Sequence, residues 1–168
     1  MVSSIHDYIE RDDDSQIKHW LNNCLDINEP DEKKRTPLFV AVQKNNIATA
    51  KIIIKKGCNL NQPDQTGTTP LHLAIETKKY KMADLLLTSK ADPNRKNPNE
   101  STPTHLLCST PPNPQQPKIL ESIIKNGGKL NSTNACGDTP IHTACLTGNL
   151  ELIQLLLKNG ASPDQQNL

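Results

Sequence analysis

Short apolar segments recur along the chain, and each is followed by polar residues and turn formers. Three of them end in an aliphatic triplet, at residues 52–54, 85–87 and 155–157. Gly57 and Gly160 follow the first and the last of these triplets, and glycine tolerates the left-handed conformation that ends many helices. The pattern predicts short amphipathic helices that end just after each triplet.

A Thr-Pro tetrapeptide precedes each of these segments and predicts a second, earlier helix. It occupies residues 36–39, 69–72, 102–105 and 139–142, at steps of 33, 33 and 37 residues, and residues 3–6 are a degraded copy. Thr is a favoured N-cap, and Pro at the first helical position loses no needed hydrogen bond. The turn-rich segment 61–68 predicts a hairpin-like finger ahead of the tetrapeptide. Each unit should therefore contain a finger and two helices.

A second polar series repeats in the same phase. Its steps are 33, 33, 37 and 33 residues, and its members are Asn28, Asn61, Asn94, Asn131 and Asp164. Two markers in one phase predict five units, at about 1–30, 31–63, 64–96, 97–133 and 134–168, in a single all-α repeat domain.

Composition narrows the possible functions. The four aromatic residues are too few for a stacking platform that binds single-stranded nucleic acid, and no apolar run is long enough to cross a bilayer. The five cysteines lack the spacing of a zinc site or a disulfide framework, so we expect reduced thiols in a cytoplasm-like compartment. We expect Cys58, Cys108 and Cys145 to lie in apolar surroundings, Cys136 to be accessible at a fingertip, and Cys24 to be reduced like the others.

Charge is unevenly distributed along the chain. Residues 1–32 carry a net −7, residues 33–129 a net +10 and residues 130–168 a net −2. Lys outnumbers Arg by 16 to 3, although bidentate recognition of bases and phosphates favours Arg. An acidic protein partner is therefore favoured over nucleic acid.

The sequence resembles the ankyrin-repeat proteins. The 33-residue period, the Thr-Pro-Leu-His tetrapeptide at 69–72, the alanines five residues after the Thr, and the closing Gly-Ala-Ser-Pro-Asp at 160–164 carry the resemblance. It implies a stack of helix pairs whose fingers project to one side and whose concave groove binds other proteins. It also implies that the fourth tetrapeptide residue, His72, His105 or His142, links neighbouring units structurally.

The resemblance further implies where a partner would touch. The contact positions are the finger residues just before each Thr and the last turn of the first helix. Carried over to this chain, they are Glu32, Lys33, Arg35, Gln43, Lys44, Gln65, Thr66, Thr68, Glu76, Thr77, Pro98, Asn99, Ser101, Ser109, Thr110, Ala135, Cys136, Asp138, Leu146 and Thr147. This groove would be basic at the second unit and nearly neutral at the last.

Departures from the pattern concentrate in the fourth unit. Four extra residues fall within the Pro-rich segment 109–117, which we interpret as an exposed, enlarged turn, with a Pro-rich docking ligand as the alternative. Lys34 and Glu100 replace the finger glycines found at Gly67 and Gly137, so these two fingers are expected to bend differently.

Catalytic chemistry has no support in the sequence. It contains no phosphate loop, nucleophile elbow or apolar carboxylate pair, and the Asp12–Asp14 run is interpreted as a turn between helices. We therefore predict no enzyme activity, no cofactor and no metal site, and a protein-binding module instead. Two alternatives are a substrate-recruiting adaptor of a ubiquitin ligase and a kappaB-inhibitor-like protein that sequesters a transcription factor.

The two ends of the chain suggest different roles. The first unit has a polar outer face suited to capping the stack, whereas the last keeps the apolar pattern of an internal repeat. We expect self-association there, a longer natural chain, or fraying of the last helix. The high Lys, Asn and Ile content is typical of AT-rich genomes, which favours a host-directed effector that acts in a host cytosol.

Overall fold

The computed structural model describes residues 4–23 and 26–164. Ser3, Cys24, Leu25 and Leu168 lie outside the described residues. Within them the chain forms ten helices, which are α1 (Ile5–Glu10), α2 (Asp14–Asn23), α3 (Pro37–Lys44), α4 (Ile47–Lys55), α5 (Pro70–Glu76), α6 (Tyr80–Thr88), α7 (Pro103–Ser109), α8 (Gln116–Lys125), α9 (Pro140–Thr147) and α10 (Leu150–Lys158).

The helices form two rows. Each odd-numbered helix packs on the even-numbered helix that follows it, and the odd-numbered helices also pack on one another in the order α1, α3, α5, α7, α9. Helices α6, α8 and α10 form the corresponding outer row. The result is the all-α repeat solenoid that the sequence predicts.

The Thr-Pro signal starts the inner helices as expected. The Thr36 hydroxyl accepts a hydrogen bond from the Phe39 N–H at 3.2 Å, and the Thr69 hydroxyl accepts one from the His72 N–H at 3.4 Å. Pro37 and its counterparts occupy the first helical turn. Replacing such a cap typically costs about 1 kcal/mol, so the tetrapeptide fixes both the start and the direction of each inner helix.

The core is thin and aliphatic. Outer-helix residues Ile53, Leu86, Ile123 and Leu156 occupy one repeated position and are fully buried. Small Ala74 and Ala144 on the inner helices are also fully buried, which lets the two helices of a unit approach closely. In the fourth unit Leu107 fills the alanine position, yet it is equally buried.

The second polar series joins neighbouring units. The Oδ1 atoms of Asn28, Asn61, Asn94 and Asn131 each accept a hydrogen bond from a backbone N–H 31 or 35 residues further along the chain, at 2.6 to 2.8 Å. Asn94 also donates to the Gly127 carbonyl at 3.0 Å. The repeated asparagine is therefore a bridge between units.

The Pro-rich segment is an enlarged turn between α7 and α8, as expected, although its last residues belong to α8. The buried Gln116 side chain organises it: Nε2 donates to the Thr110 hydroxyl at 2.6 Å and to the Leu107 carbonyl at 3.1 Å, and Oε1 accepts from the Asn113 N–H at 2.9 Å. Residues 111, 112, 114 and 115 remain exposed. A docking role for this turn stays a prediction.

Asp12 and Asp13 form the turn between α1 and α2, as interpreted from the sequence, whereas Asp14 is the first residue of α2. Asp12 has a left-handed φ of 53°. The Asp13 carboxylate accepts from the Gln16 N–H at 3.1 Å and from the Ser15 hydroxyl at 2.8 Å, so it caps α2. The acidic run thus has a local structural role.

Candidate functional site

Each of the four described fingers is closed by one repeated side chain. The residue five before the Thr is Asp or Asn, and its Oδ1 atom accepts from the backbone N–H groups two and four residues later, at 2.8 to 3.0 Å. These residues are Asp31, Asp64, Asn97 and Asn134. They are absent from the residues predicted from the sequence, although their steps of 33, 33 and 37 residues repeat in phase with the other two markers.

The expectation that two fingers bend differently is wrong. Lys34 and Glu100 adopt left-handed φ angles of 58° and 55°, close to the 79° and 77° of Gly67 and Gly137. In all four fingers this residue donates its N–H to the carbonyl three residues earlier, at 2.8 to 3.0 Å. The Asp or Asn closure imposes the turn even where a side chain makes the left-handed conformation less favourable.

Neighbouring fingers are joined through their backbones, with one interruption. The Gln65 N–H donates to the Lys33 carbonyl at 2.9 Å, and the Ala135 N–H donates to the Asn99 carbonyl at 3.1 Å. Pro98 occupies the corresponding donor position in the finger of the fourth unit and has no N–H to donate. It lies instead so close to Gly67 that a Cβ atom at residue 67 would be 2.8 Å from the Pro98 Cγ. The fingers thus form one continuous wall.

Tetrapeptide histidines hold this wall on the inner helices. The Nε2 atoms of His72 and His105 lie 3.1 Å and 2.9 Å from the carbonyls of Ser101 and Asp138, which are in the next finger. The Thr102 N–H donates to Nδ1 of His105 at 3.1 Å, so Nδ1 is unprotonated and Nε2 carries the hydrogen. The predicted structural role of these two histidines is confirmed.

Protonation would disturb this arrangement. Burial lowers the pKa of His72 and of His105 below the usual value, against a smaller opposing effect of the carbonyl that each faces. Burial also lowers the pKa of His6, the histidine of the degraded copy. Neutral rings are therefore the form that the folded stack prefers.

The structure places all the predicted contact residues at or near the surface. Glu32, Lys33, Gln43, Lys44, Gln65, Thr66, Glu76, Thr77, Pro98, Asn99, Ser109, Ala135, Cys136 and Leu146 are exposed, whereas Arg35, Thr68, Ser101, Thr110, Asp138 and Thr147 are half-buried. All six half-buried residues use a side chain or a carbonyl to hold the scaffold. Thr147, for example, donates its hydroxyl to the Cys108 carbonyl at 2.9 Å.

Arg35 is committed to internal contacts. Its Nη2 atom lies 2.9 Å from the Glu10 carboxylate, its Nε donates to Asp31 at 2.7 Å, and its Nη1 donates to the Gln43 side chain at 2.8 Å. Burial alone would raise the pKa of Asp31, but the hydrogen bonds and charge of Arg35 hold it below the usual value. The positive charge of Arg35 therefore serves the joint between the first two units.

Other lysines supply the positive charge around the second and third units. Lys33, Lys34, Lys44 and Lys78 have exposed side chains. Lys79 instead donates to the Gln43 carbonyl near the end of α3 at 2.8 Å, and burial lowers its pKa. The four exposed lysines therefore present accessible positive charge at the basic end of the predicted groove.

The cysteines differ from expectation at one position. Cys136 is exposed, as predicted, and burial raises the pKa of Cys58 to about 11 and that of Cys108 to about 12. Cys145 is exposed rather than surrounded by apolar side chains, because α7 and α10, which pack on α9 in residues 26–164, leave it uncovered. In that described part of the chain, and in residues 4–23, no group of three or more His, Cys, Asp or Glu residues is arranged to hold a metal ion.

None of the helices in the described residues is long and apolar enough to cross a membrane.

Comparison with known proteins agrees with this geometry. The family model described as Ankyrin repeats (3 copies) matches residues 5–97, and the model described as Ankyrin repeat matches residues 136–168. The two matches flank the enlarged fourth unit, and together they cover more than half of the chain. Both models describe interaction repeats rather than an enzyme family.

Curated relatives match over a short stretch. The potassium channel AKT1 of Oryza sativa, in subspecies indica and japonica, is 38% identical over 50 residues, which are 30% of this chain and 5% of the channel. The Arabidopsis thaliana channel of the same name is 33% identical over 51 residues, or 30% of this chain and 6% of the channel. The similarity therefore extends over about one and a half repeats. The chain belongs to the ankyrin-repeat family, and its stack of helix pairs is a protein–protein interaction module.

Proposed function

We propose that the groove between the fingers and the inner helices binds an extended or helical segment of a partner protein. The segment carries acidic side chains opposite the second and third units and an apolar side chain opposite the last. The main support is that Lys33, on a finger, and Lys44, at the opposite end of α3, are both exposed. The same unit therefore presents positive charge at both ends of its inner helix.

Not every basic residue around the second and third units is available to attract a partner. Arg35 and Lys79 face internal acceptors, so the proposal rests on Lys33, Lys34, Lys44 and Lys78. Glu32 and Glu76 are also exposed and lower the local net charge. We therefore expect attraction of moderate strength that depends on salt, since screening acts over about 8 Å at physiological ionic strength.

Opposite the last unit the groove has a different character. Ala135 and Cys136 are exposed at the fingertip, and Leu146 at the end of α9 is 81% exposed. An apolar partner side chain would cover this leucine, and full burial of such a group contributes roughly 1.5 to 3 kcal/mol. The proposed partner is thus acidic at one end and apolar at the other.

Adaptor, inhibitor and effector roles all use the same groove and differ in the partner that it holds. Each of them, like a cytoplasmic location, stays a prediction from the sequence. Binding in the groove is the step that they share, so it is the step to test first.

A random peptide library displayed on phage and selected on the intact chain tests the proposal. We expect the enriched peptides to be acidic and to contain at least one large apolar residue. Their affinity should fall about tenfold when Lys33 and Lys44 are both changed to Glu, as measured by fluorescence anisotropy at 0.15 M salt.

A matched control is the double change Lys55→Glu and Lys125→Glu, which reverses two exposed lysines on outer helices α4 and α8. It should leave affinity for the selected peptides within about twofold. Equal losses in the two double variants, or enrichment of basic peptides, would contradict the proposed groove.

A further inference from the structure

The enlarged turn of the fourth unit places three prolines on the surface. It contains the four residues by which the 37-residue step exceeds 33, and Pro111, Pro112 and Pro114 are all exposed. The segment Pro111-Pro112-Asn113-Pro114 has prolines at its first and fourth positions. Proline-rich ligands with this spacing are recognised as extended polyproline II segments.

The backbone that enters the turn is extended. Thr110 has a φ of −85° and a ψ of 148°, close to the polyproline II values of about −75° and +145°. A residue that precedes a proline is driven out of the helical region, and Thr110, Pro111 and Asn113 each precede one. Residues 110–113 therefore favour polyproline II. Because that helix has three residues per turn, it places Pro111 and Pro114 along one edge.

Hydrogen bonds to polar groups hold this segment from its inner side. Besides the contacts described above, Nε2 of the buried Gln116 lies 3.3 Å from the Pro111 carbonyl and 3.4 Å from the Thr110 carbonyl. The Asn113 carbonyl accepts from the Gln116 N–H at 3.0 Å, which closes a turn over residues 113–116. Pro114 occupies the second position of this turn, where proline is favoured. Closure of the turn thus uses polar groups, and the prolines stay exposed.

A segment fixed in this way is pre-organised for binding. Ordering a flexible peptide costs conformational entropy, whereas the fold has already ordered residues 110–116. A proline ring also supplies apolar surface without a loss of side-chain rotamer entropy. The partner that suits such a surface is a protein groove lined with aromatic side chains.

The aromatic groove must belong to a different protein. The chain has four aromatic residues, all within the described ranges. Phe39 and Tyr80 are buried, and Tyr8 and Trp20 pack against the core. A second copy of the chain is therefore a poor occupant of the proline segment.

We propose that residues 110–114 form a second docking site, which binds a partner domain through an aromatic-lined groove for polyproline II. The segment directly follows Ser109, a contact position predicted for the concave groove, so the bound domain lies beside the groove at the fourth unit. The site uses neither the exposed lysines of the second unit nor an acidic partner segment.

Isothermal titration calorimetry of the whole chain with a panel of purified SH3 and WW domains tests this site. We expect at least one domain to bind with a Kd below about 0.1 mM. The double change Pro111→Ala and Pro114→Ala should weaken this binding about tenfold or more. Pro63→Ala is the matched control, because Pro63 is an exposed proline ahead of the Asp64 finger, and it should leave affinity within about twofold.

Amide chemical shifts of the ¹⁵N-labelled wild-type chain keep the test informative if the proline variant unfolds, which circular dichroism would show. Addition of the bound domain should change the signals of Thr110, Asn113 and Gln115 most. The double change Lys33→Glu and Lys44→Glu should leave this binding within about twofold, so its outcome is distinguishable from that of the groove.

Three results would overturn the second docking site. The first is that no domain of the panel binds at about 0.1 mM. The second is equal affinity of the wild-type chain and a folded proline variant. The third is a set of chemical shift changes confined to the fingers.

Discussion

The joints at the two ends of the stack are built from different chemistry. At the first joint, Arg35 connects Glu10 of the first unit to Asp31 of the second unit's finger, and the Asn46 amide donates to Asp12 at 3.2 Å. At the last joint, the buried Gln116 accepts a hydrogen bond from the Asn149 amide at 2.8 Å. One joint is therefore ionic and partly exposed, whereas the other is neutral and buried.

This difference shows that the degraded first repeat is held in the stack by ionic contacts. Ionic contacts near the surface are weakened by salt, whereas buried amide contacts are not. The first unit also faces outward with Gln16, while the last faces outward with Leu150 and Leu157. Within the described residues, the first unit thus presents a polar side chain at this position and the last presents apolar ones.

The largest expected effect on stability comes from a substitution that breaks the last joint. Gln116→Ala removes four or more hydrogen bonds and leaves the Asn113 N–H and the Asn149 amide without their partner. We expect the free energy of unfolding to fall by about 3 kcal/mol. Urea denaturation followed by circular dichroism measures this change.

Gln115 is the neighbouring control, because its side chain is exposed in the same turn. Gln115→Ala should change the free energy of unfolding by less than about 0.5 kcal/mol. Similar losses in the two variants would show that the buried amide contacts do not hold the joint.

A smaller effect is expected at the first joint. Arg35→Leu leaves Glu10 and Asp31 without their shared cation, and the Arg35 side chain is only 14% exposed. We expect a loss of about 2 kcal/mol. Arg95→Leu, which disrupts an exposed pair with Asp92, should cost less than about 0.5 kcal/mol.

The response to salt concentration distinguishes the two joints without any mutation. In hydrogen exchange at 1 M NaCl, amides of α1 should lose protection relative to low salt, while those of α10 should not. Equal changes at both ends would contradict the ionic description of the first joint.

Acid should weaken the joints that the histidines hold. Because the pKa values of His72 and His105 are lower in the folded chain than the ordinary 6.5, their contribution to stability is complete above pH 6.5. It is lost as pH falls from 6.5 through the folded-state pKa, because the unfolded chain then binds more protons. His105→Gln should flatten this part of the stability profile, and an unchanged slope would assign the proton uptake to other groups.

The smallest expected effect on stability concerns the turn that follows α6, in the middle of the stack. Lys90 has a left-handed φ of 75° at the position where Gly57, Gly127 and Gly160 follow α4, α8 and α10. Lys90→Gly should therefore raise the free energy of unfolding by about 1 kcal/mol. Lys51→Gly within α4 should lower it by a similar amount, because the same residue is unfavourable inside a helix. A loss in both variants would contradict the assigned strain.

Local signals in the sequence were sufficient for the helices and for the order of the stack. The Thr-Pro tetrapeptide and the repeated asparagine act within one unit or on the next, so their period reveals them. The shape of the fingers at Lys34 and Glu100 was not predicted, because Asp31 and Asn97 determine it rather than the missing glycine.

Features that depend on distant residues could not be predicted. Arg35 looked available to a partner, but Glu10 lies 25 residues away in sequence and meets it only in the folded stack. Cys145 occupies the same position of its repeat as the buried Cys108, yet it is exposed, because burial depends on which helices pack against that position in the folded chain. The family resemblance implies the groove itself. The charge of the groove depends on which lysine side chains remain exposed in the folded stack.

Amide chemical shifts of the ¹⁵N-labelled chain, titrated with a peptide selected from the phage library, test the binding groove most directly. We expect the largest changes on the fingers and the last turns of the inner helices, around Lys33, Lys44 and Gln65. Changes confined to outer helices α4, α6 and α8 would contradict it.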